Sequence, residues 1–211
     1  MVHETNFYGI IILRKMKNTQ RLVTIMYLEE INALPKKFVS NLDSDFENLK
    51  VYLVQDYDLK LLNRVVNFGV NIFGELGMDE WGLVPQIRHG NVFLLKEASK
   101  KQIVGLAILM RDWEDLEKAY LFDYAIAEDH RGQNIGVQFL KVIIANLVEQ
   151  GFLKMSLTVD VENAPAIRLY EDKIGFEIKQ HNRDEYGQGH DRYIMELDFN
   201  KFLESRNKLA K

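Results

Sequence analysis

Residues 120–137, reading YLFDYAIAEDHRGQNIGV, run an apolar, strand-like segment through a short polar turn into a segment whose hydrophobic residues recur at helical spacing. No other stretch limits the fold so sharply, because it demands a strand, a tight glycine-bearing connection and a helix in immediate succession. A helix that opens there aims its unpaired N–H groups and the positive end of its dipole at whatever lies in front of it. Gly132 and Gly136 carry no Cβ, so an anion can approach the main chain, and Arg131 adds a fixed positive charge beside them. Such a device suits a phosphate. It is not a P-loop, since no Gly-Lys-Ser/Thr follows, and it lacks the three-glycine spacing and downstream acid of a dinucleotide site.

The chain has 211 residues, 47% of them hydrophobic, enough to bury a substantial core in one domain. It contains no cysteine, which removes disulfides, thiolate metal sites and a cysteine nucleophile, and which suits a reducing cytoplasm. No apolar run reaches the length of a membrane span and the first residues lack the flanks of a signal peptide, so a soluble, cytoplasmic protein is expected. A formal charge of −4 with scattered basic residues argues against nucleic acid and favours the approach of cationic substrates such as amines. The five histidines share no ligand spacing, so no metal is expected.

Elsewhere the apolar pattern alternates between strands and helices. A short strand at 51–54 precedes a helix with a broad apolar face that Gly74 and Gly77 stop, and residues 81–87 read as a loop or short second helix. Strands follow at 91–97 and 103–113, joined by the polar turn Ser99-Lys100-Lys101, and another at 119–128. The helix after the turn runs to Gly151, a strand covers 154–159, and Asn163 caps a helix through Lys173 with Pro165 in its first turn and Gly175 just past its end. Residues 176–180 and 193–199 alternate as a final antiparallel pair. Ahead of all this, 7–14 and 21–27 read as a hairpin, followed by a short helix from Leu28 that Pro35 disturbs and a polar joint at 41–45. The chain therefore divides into an N-terminal extension at 1–48, one domain at 49–199 and a helical tail at 200–211.

Arg131-Gly132-Gln133-Asn134-Ile135-Gly136 resembles the Arg/Gln-x-x-Gly-x-Gly/Ala pyrophosphate loop of the GCN5-related N-acetyltransferase (GNAT) family, with Asn134 standing where the family has its first glycine. Asparagine is among the few residues besides glycine that tolerate positive φ. A second stretch, residues 163–176, NAPAIRLYEDKIGF, resembles the family's Asn-x-x-Ala-x-x-Leu-Tyr-x-x-x-Gly-Phe segment, and the element order extends the likeness over residues 50–199. The resemblance implies an α/β (α+β) fold: a mixed, mostly antiparallel twisted sheet flanked by helices, the acyl-CoA N-acyltransferase architecture with an N-terminal extension. It also implies acetyl-CoA as co-substrate, its diphosphate on Arg131, Gly132, Gln133, Asn134, Ile135, Gly136 and Val137. In the family the preceding strand splays around a bulge and its amides bind the pantetheine arm and thioester carbonyl, which by position falls on Tyr124, Ala125 and Ile126. Asn163 and Ala166 would complete the cofactor site, and Tyr170 would protonate the departing thiolate.

For the general base Asp123 is the choice, with Glu128, Asp129, Tyr120 and a water chain as alternatives. The acceptor is expected to be a primary amine, on a small molecule or on a protein or peptide. The loop at 182–191, NRDEYGQGHD, offers Asp184, Glu185 and Asp191 as negative charge and Tyr186 as an aromatic wall, or else is a plain solvated hairpin. Attack would be direct in a ternary complex, since the chain has no cysteine and no serine in a strand-to-helix elbow. A non-catalytic acyl-CoA sensor or interaction module is the alternative; another acyl donor and a homodimer stay open.

Overall fold

The computed structural model describes residues 37–42, 44–97 and 102–209. The hairpin expected within 7–27, the helix from Leu28 and the turn at 99–101 lie outside these residues. Strands β1 (Lys37–Asn41), β2 (Leu49–Leu53), β3 (Asn91–Glu97), β4 (Gln102–Arg111), β5 (Lys118–Ile126), β6 (Lys154–Asp160), β7 (Glu177–Asn182) and β8 (Arg192–Asp198) form one eight-stranded sheet in the order β1-β2-β3-β4-β5-β6-β8-β7. Every neighbouring pair is antiparallel except β5 with β6. Five α-helices accompany it among the described residues: α1 (Leu59–Phe73), α2 (Glu80–His89), α3 (Ile135–Glu149), α4 (Ala164–Arg168) and α5 (Phe199–Leu209).

Of the two alternatives for residues 81–87 the helix is the one found: they lie within α2, which Asp79 caps by accepting from the Gly82 amide at 3.0 Å; Pro85 inside the helix is what blurred its pattern. One reading of the sequence changes. The stretch just before residue 49 contributes a strand, since β1 pairs with β2 from Lys37↔Leu53 to Asn41↔Lys50. Its apolar content is too short to show an alternation, and a ring contact of 5.9 Å between Phe38 and Tyr52 helps hold it.

Alternation along the strands divides the interior in two. Phe93 and Leu95 turn to the α3 side, where they join Phe139, Ile143, Leu147, Leu121, Leu157 and Met195 in the larger core. Leu94, Leu106 and Ile108 turn the other way and pack with Leu62, Val65, Leu83 and Ile87 of α1 and α2. Each such side chain contributes about 1.5–3 kcal/mol by leaving water. At the start of α1 the Asp56 carboxylate, wholly buried, is held by Arg88 of α2 at 2.8 Å, and the Arg88 guanidinium lies over the Tyr57 ring at 5.0 Å. This second core contains no residue of β5, β6 or β8. On that half of the sheet face Tyr120, Asp123, Ser156, Thr158 and Glu196 stand between the core positions, alongside the apolar Ile194.

Candidate active site

The parallel ladder between β5 and β6 runs from Lys118↔Lys154 to Leu121↔Leu157 and stops. Beyond that point β6 stays with β8 as far as Asp160↔Arg192, and β5 stays with β4 as far as Ile126↔Gly105, so the two strands part. The register between β4 and β5 shifts where Leu109↔Leu121 gives way to Ile108↔Asp123, leaving Phe122 as an extra residue. A bulge of this kind bends its strand and adds twist, which is the local cause of the parting. The Ala127 amide donates to Val104 O at 2.9 Å. Alternation then turns the amides of Ala125 and Asp123 toward β4 and those of Tyr124 and Ile126 into the gap. Of the three strand amides expected to meet a ligand, that of Ala125 is therefore committed to the sheet. The Ile126 carbonyl on the gap side accepts from Arg131 Nε at 2.9 Å, which fixes the guanidinium at the mouth of the gap.

A short 3-10 turn, Glu128–His130, leads into the loop. Gly132 and Asn134 both take left-handed conformations, φ 74° and 65°, so asparagine occupies a backbone position that favours glycine. Asn134 provides no side-chain cap to α3, and the first bond of the helix is Gln138 N–H to Asn134 O at 3.2 Å. The amides of Ile135, Gly136 and Val137 precede that bond and face out of the helix end. A Cβ on Gly136 would sit 3.4 Å from Ile126 Cγ1 and 3.6 Å from the Tyr124 hydroxyl, which itself donates to Gly136 O. Gln133 donates to Asp129 O at 3.1 Å and shapes the loop from within, and His130 pairs with Asp129 at 2.7 Å.

Asn163 caps α4 by accepting from Ala166 N at 3.2 Å through its side-chain oxygen. The helix then widens into a π turn, Leu169–Ile174, that closes on Gly175 at φ 97°. The Gly175 and Phe176 amides both donate to Tyr170 O at 2.9 Å. Wide turns of this sort re-aim a side chain. Tyr170 is 8% exposed, with ring contacts to Phe176 at 5.6 Å and Tyr124 at 6.5 Å. Its hydroxyl has no hydrogen-bond partner among the described residues, yet is not sealed from solvent. Burial, and secondarily the Asp123 charge, push this phenol well above its ordinary range, so it holds its proton at neutral pH.

Across the gap, Asp123 is half-buried and its carboxylate has no hydrogen-bond partner among the described residues. Burial raises its carboxyl from 3.8 to about 6. Beside it the Tyr120 hydroxyl lies 3.0 Å from Thr158 Oγ1, which in turn lies 3.1 Å from the Tyr186 hydroxyl. Sequence reasoning missed Thr158, whose only signal is its polar place in the alternating strand KMSLTVD. The acids of residues 182–191 are engaged within their own loop. Asp184, at φ 52°, accepts from Gly189 N at 2.6 Å; Asp191 accepts from Asp184 N at 3.0 Å and pairs with His181 at 3.0 Å; Glu185 accepts from Asn182 at 2.8 Å. Tyr186 stands out from them, 57% exposed and with the Arg192 guanidinium 4.8 Å from its ring.

Among the described residues no cluster of three or more His, Asp or Glu side chains is arranged to hold a metal ion, and no helix is long and apolar enough to cross a membrane.

Comparison with known proteins agrees with this geometry. The model of the acetyltransferase (GNAT) family matches residues 66–176. A mycothiol acetyltransferase of Corynebacterium aurimucosum is 38% identical over 55 residues, covering 26% of this chain and 18% of that protein. The N-alpha-acetyltransferase daf-31 of Caenorhabditis elegans is 28% identical over 116 residues, 54% of this chain and 64% of that one. The chain thus spans less than two thirds of either curated relative. Among solved structures, the ribosomal-protein-S18-alanine N-acetyltransferase of Escherichia coli superposes with a TM-score of 0.59 at 23% identity, covering 72% of this chain and 94% of that one, which establishes a shared fold.

Proposed function

The chain belongs to the GNAT acetyltransferase family, and from that premise we propose that it moves an acetyl group from acetyl-CoA to a primary amine by direct attack in a ternary complex. The observation that carries the reading is the gap between β5 and β6, where two strand amides, an uncapped helix start and a buried phenol with an unpartnered hydroxyl come from different elements. The catalytic domain is assigned to residues 49–199, with 1–48 as an extension that supplies β1 and 200–211 as a tail.

The amides of residues 135–137, with Gly132, Gly136 and the Arg131 guanidinium, suit the diphosphate of CoA, because Cβ-free backbone lets an anion reach the N–H groups at the positive end of α3. Gln133 and Asn134 hold that loop in shape, and Asn163 and Ala166 lie along the path of the pantetheine arm. The Tyr124 and Ile126 amides would hydrogen-bond the arm and the thioester carbonyl, and such pre-aimed donors stabilise an oxyanion as charge develops on it. Tyr170 supplies a proton to the departing sulfur. Asp123 takes one from the attacking ammonium, a task for which a carboxyl near pH 6 is better matched than an ordinary one.

Titration calorimetry with CoA and thiol release from acetyl-CoA over a panel of amines test the reading together. Binding with transfer supports it. Binding without transfer to any amine would make the protein an acyl-CoA sensor, and absence of binding would remove the cofactor assignment.

A further inference from the structure

Acetylation of an ammonium removes two protons from its nitrogen, of which one ends on the CoA sulfur and the other must reach solvent. Tyr170 accounts for the sulfur, which leaves the second proton without an exit once donor and acceptor fill the gap. The Tyr120, Thr158 and Tyr186 hydroxyls form a continuous chain at 3.0 and 3.1 Å, starting on β5 three residues before Asp123 and ending on a phenol that is 57% exposed. Thr158 stands one residue past the last β5–β6 pair, Leu121↔Leu157, so the chain crosses from β5 to the β7–β8 loop just beneath the parting of the strands. A hydroxyl carries one hydrogen and two lone pairs, so Thr158 can accept from one phenol while donating to the other.

We propose that Thr158 joins Tyr120 and Tyr186 into a hydroxyl relay that carries one proton from the attacking nitrogen to solvent. The inference rests on the acetyl-transfer reading above. In sequence, the ammonium gives a proton to the Asp123 carboxylate and the freed amine forms its C–N bond with the thioester carbon. As the C–S bond breaks, Tyr170 gives its proton to the sulfur and recovers one, by way of water, from the Asp123 carboxylic acid. The second nitrogen proton passes to Tyr120 while the Tyr120 hydrogen moves to Thr158, that of Thr158 to Tyr186, and that of Tyr186 to water. Every side chain regains its starting state, and the sum is one amide, one thiol and one released proton. The Asp123 charge acts on both Tyr120 and Tyr170, as groups sharing one site require. Tyr120, pushed up to about 12 chiefly by burial, passes a proton on without resting as phenolate.

Thr158→Val keeps the branched shape that suits the strand and removes only the hydroxyl, and Thr158→Ser restores it. With acetyl-CoA and the fastest acceptor from a panel of aliphatic diamines and free-N-terminus peptides, Thr158→Val should lower kcat about tenfold, less than loss of a direct acid or base because water substitutes in part. The acceptor KM and calorimetric CoA affinity should stay at parental values, and Thr158→Ser should recover most of the rate. Tyr186→Phe should lose less, since its end of the chain is open to water. In mixed light and heavy water the parent's kcat should fall along a curve, as several protons in flight require, and that of Thr158→Val along a nearly straight line. An active parent whose Thr158→Val variant keeps parental kcat, or whose Thr158→Ser variant is as slow as Thr158→Val, overturns the relay alone. A parent that binds CoA but acetylates no amine overturns the acetyl-transfer reading and the relay with it.

Discussion

On the proposed donor side of the gap, two unbroken stretches, residues 124–137 and 163–176, supply nearly everything: backbone amides, left-handed turns, two helix starts and one phenol. On the proposed acceptor side, Tyr120 and Asp123 come from β5, Thr158 from β6 and Tyr186 from the β7–β8 loop, and the three hydroxyls meet through side chains alone. On the proposed function the donor side has a diphosphate and a carbonyl to recognise, which backbone geometry can do, so its sequence would be constrained by φ angles and missing Cβ atoms. Side-chain chemistry shapes the acceptor side, where any alternating strand has room for change. This difference predicts that damage on the donor side abolishes binding, whereas damage on the acceptor side alters rates and selectivity.

The hardest test of that division is Gly136→Asp. It sets a carboxylate where the diphosphate should lie, against Ile126 and Tyr124 at distances a Cβ can tolerate. Calorimetry should show CoA affinity falling by about a hundredfold or more while the melting temperature stays near the parent's, because an acid at a helix start does not harm the helix. Retained affinity would mean that the donor side lies elsewhere.

Next in size is Tyr170→Phe, on the donor side but acting on a rate. Thiol release should slow by roughly 10²-fold with the affinity for acetyl-CoA unchanged, since only a proton donor is lost. Equal turnover would return Tyr170 to a packing role against Phe176 and Tyr124.

Asp123 sharpens the comparison by its response to pH. Its folded carboxyl, near 6, is raised above the unfolded value by burial, so the fold favours the protonated form. That contribution is present below about pH 4 and is lost as pH rises through about 6. Asp123→Asn should therefore be more stable to unfolding than the parent at pH 8, by about 1–2 kcal/mol once solvent screening is allowed for, with the gap closing toward pH 4. In the same variant the rise of kcat/KM through about pH 6 should vanish. A parental pH profile in Asp123→Asn would assign that proton to another group.

The smallest effect is expected from Asp191→Asn. It loosens the bonds to His181 and the Asp184 amide that hold the β7–β8 loop, and should raise the acceptor KM by roughly two- to fivefold, the scale of an exposed ion pair. The Asp184 amide foremost, then His181, hold this carboxyl below its usual range, so the loop should loosen in the parent too as pH falls through that lowered value. A loss as deep as that of Gly136→Asp would show that these acids hold the acceptor directly.

What the sequence determined by itself is what depends on neighbours along the chain. The turn at Gly132 and Asn134, the open start of α3, the Asn163 cap and the Gly175 stop each follow from residues within a few positions, and each was legible from them. Period and punctuation likewise marked most strands and the two long helices. Tertiary structure decided what depends on register. The bulge at Phe122 determines which amides face the gap, and no local pattern shows that Ala125 turns its own toward β4. The strand β1 exists because β2 offers it an edge. Thr158 reaches the Tyr120 and Tyr186 hydroxyls because β6 stands beside β5 up to Leu157 and no further, and the acids of the β7–β8 loop are tied up because the chain folds back upon itself there. Local conformation is set by short-range sterics and capping, which sequence records directly; the meeting of side chains from distant strands is set by ladder register, which only the assembled sheet fixes.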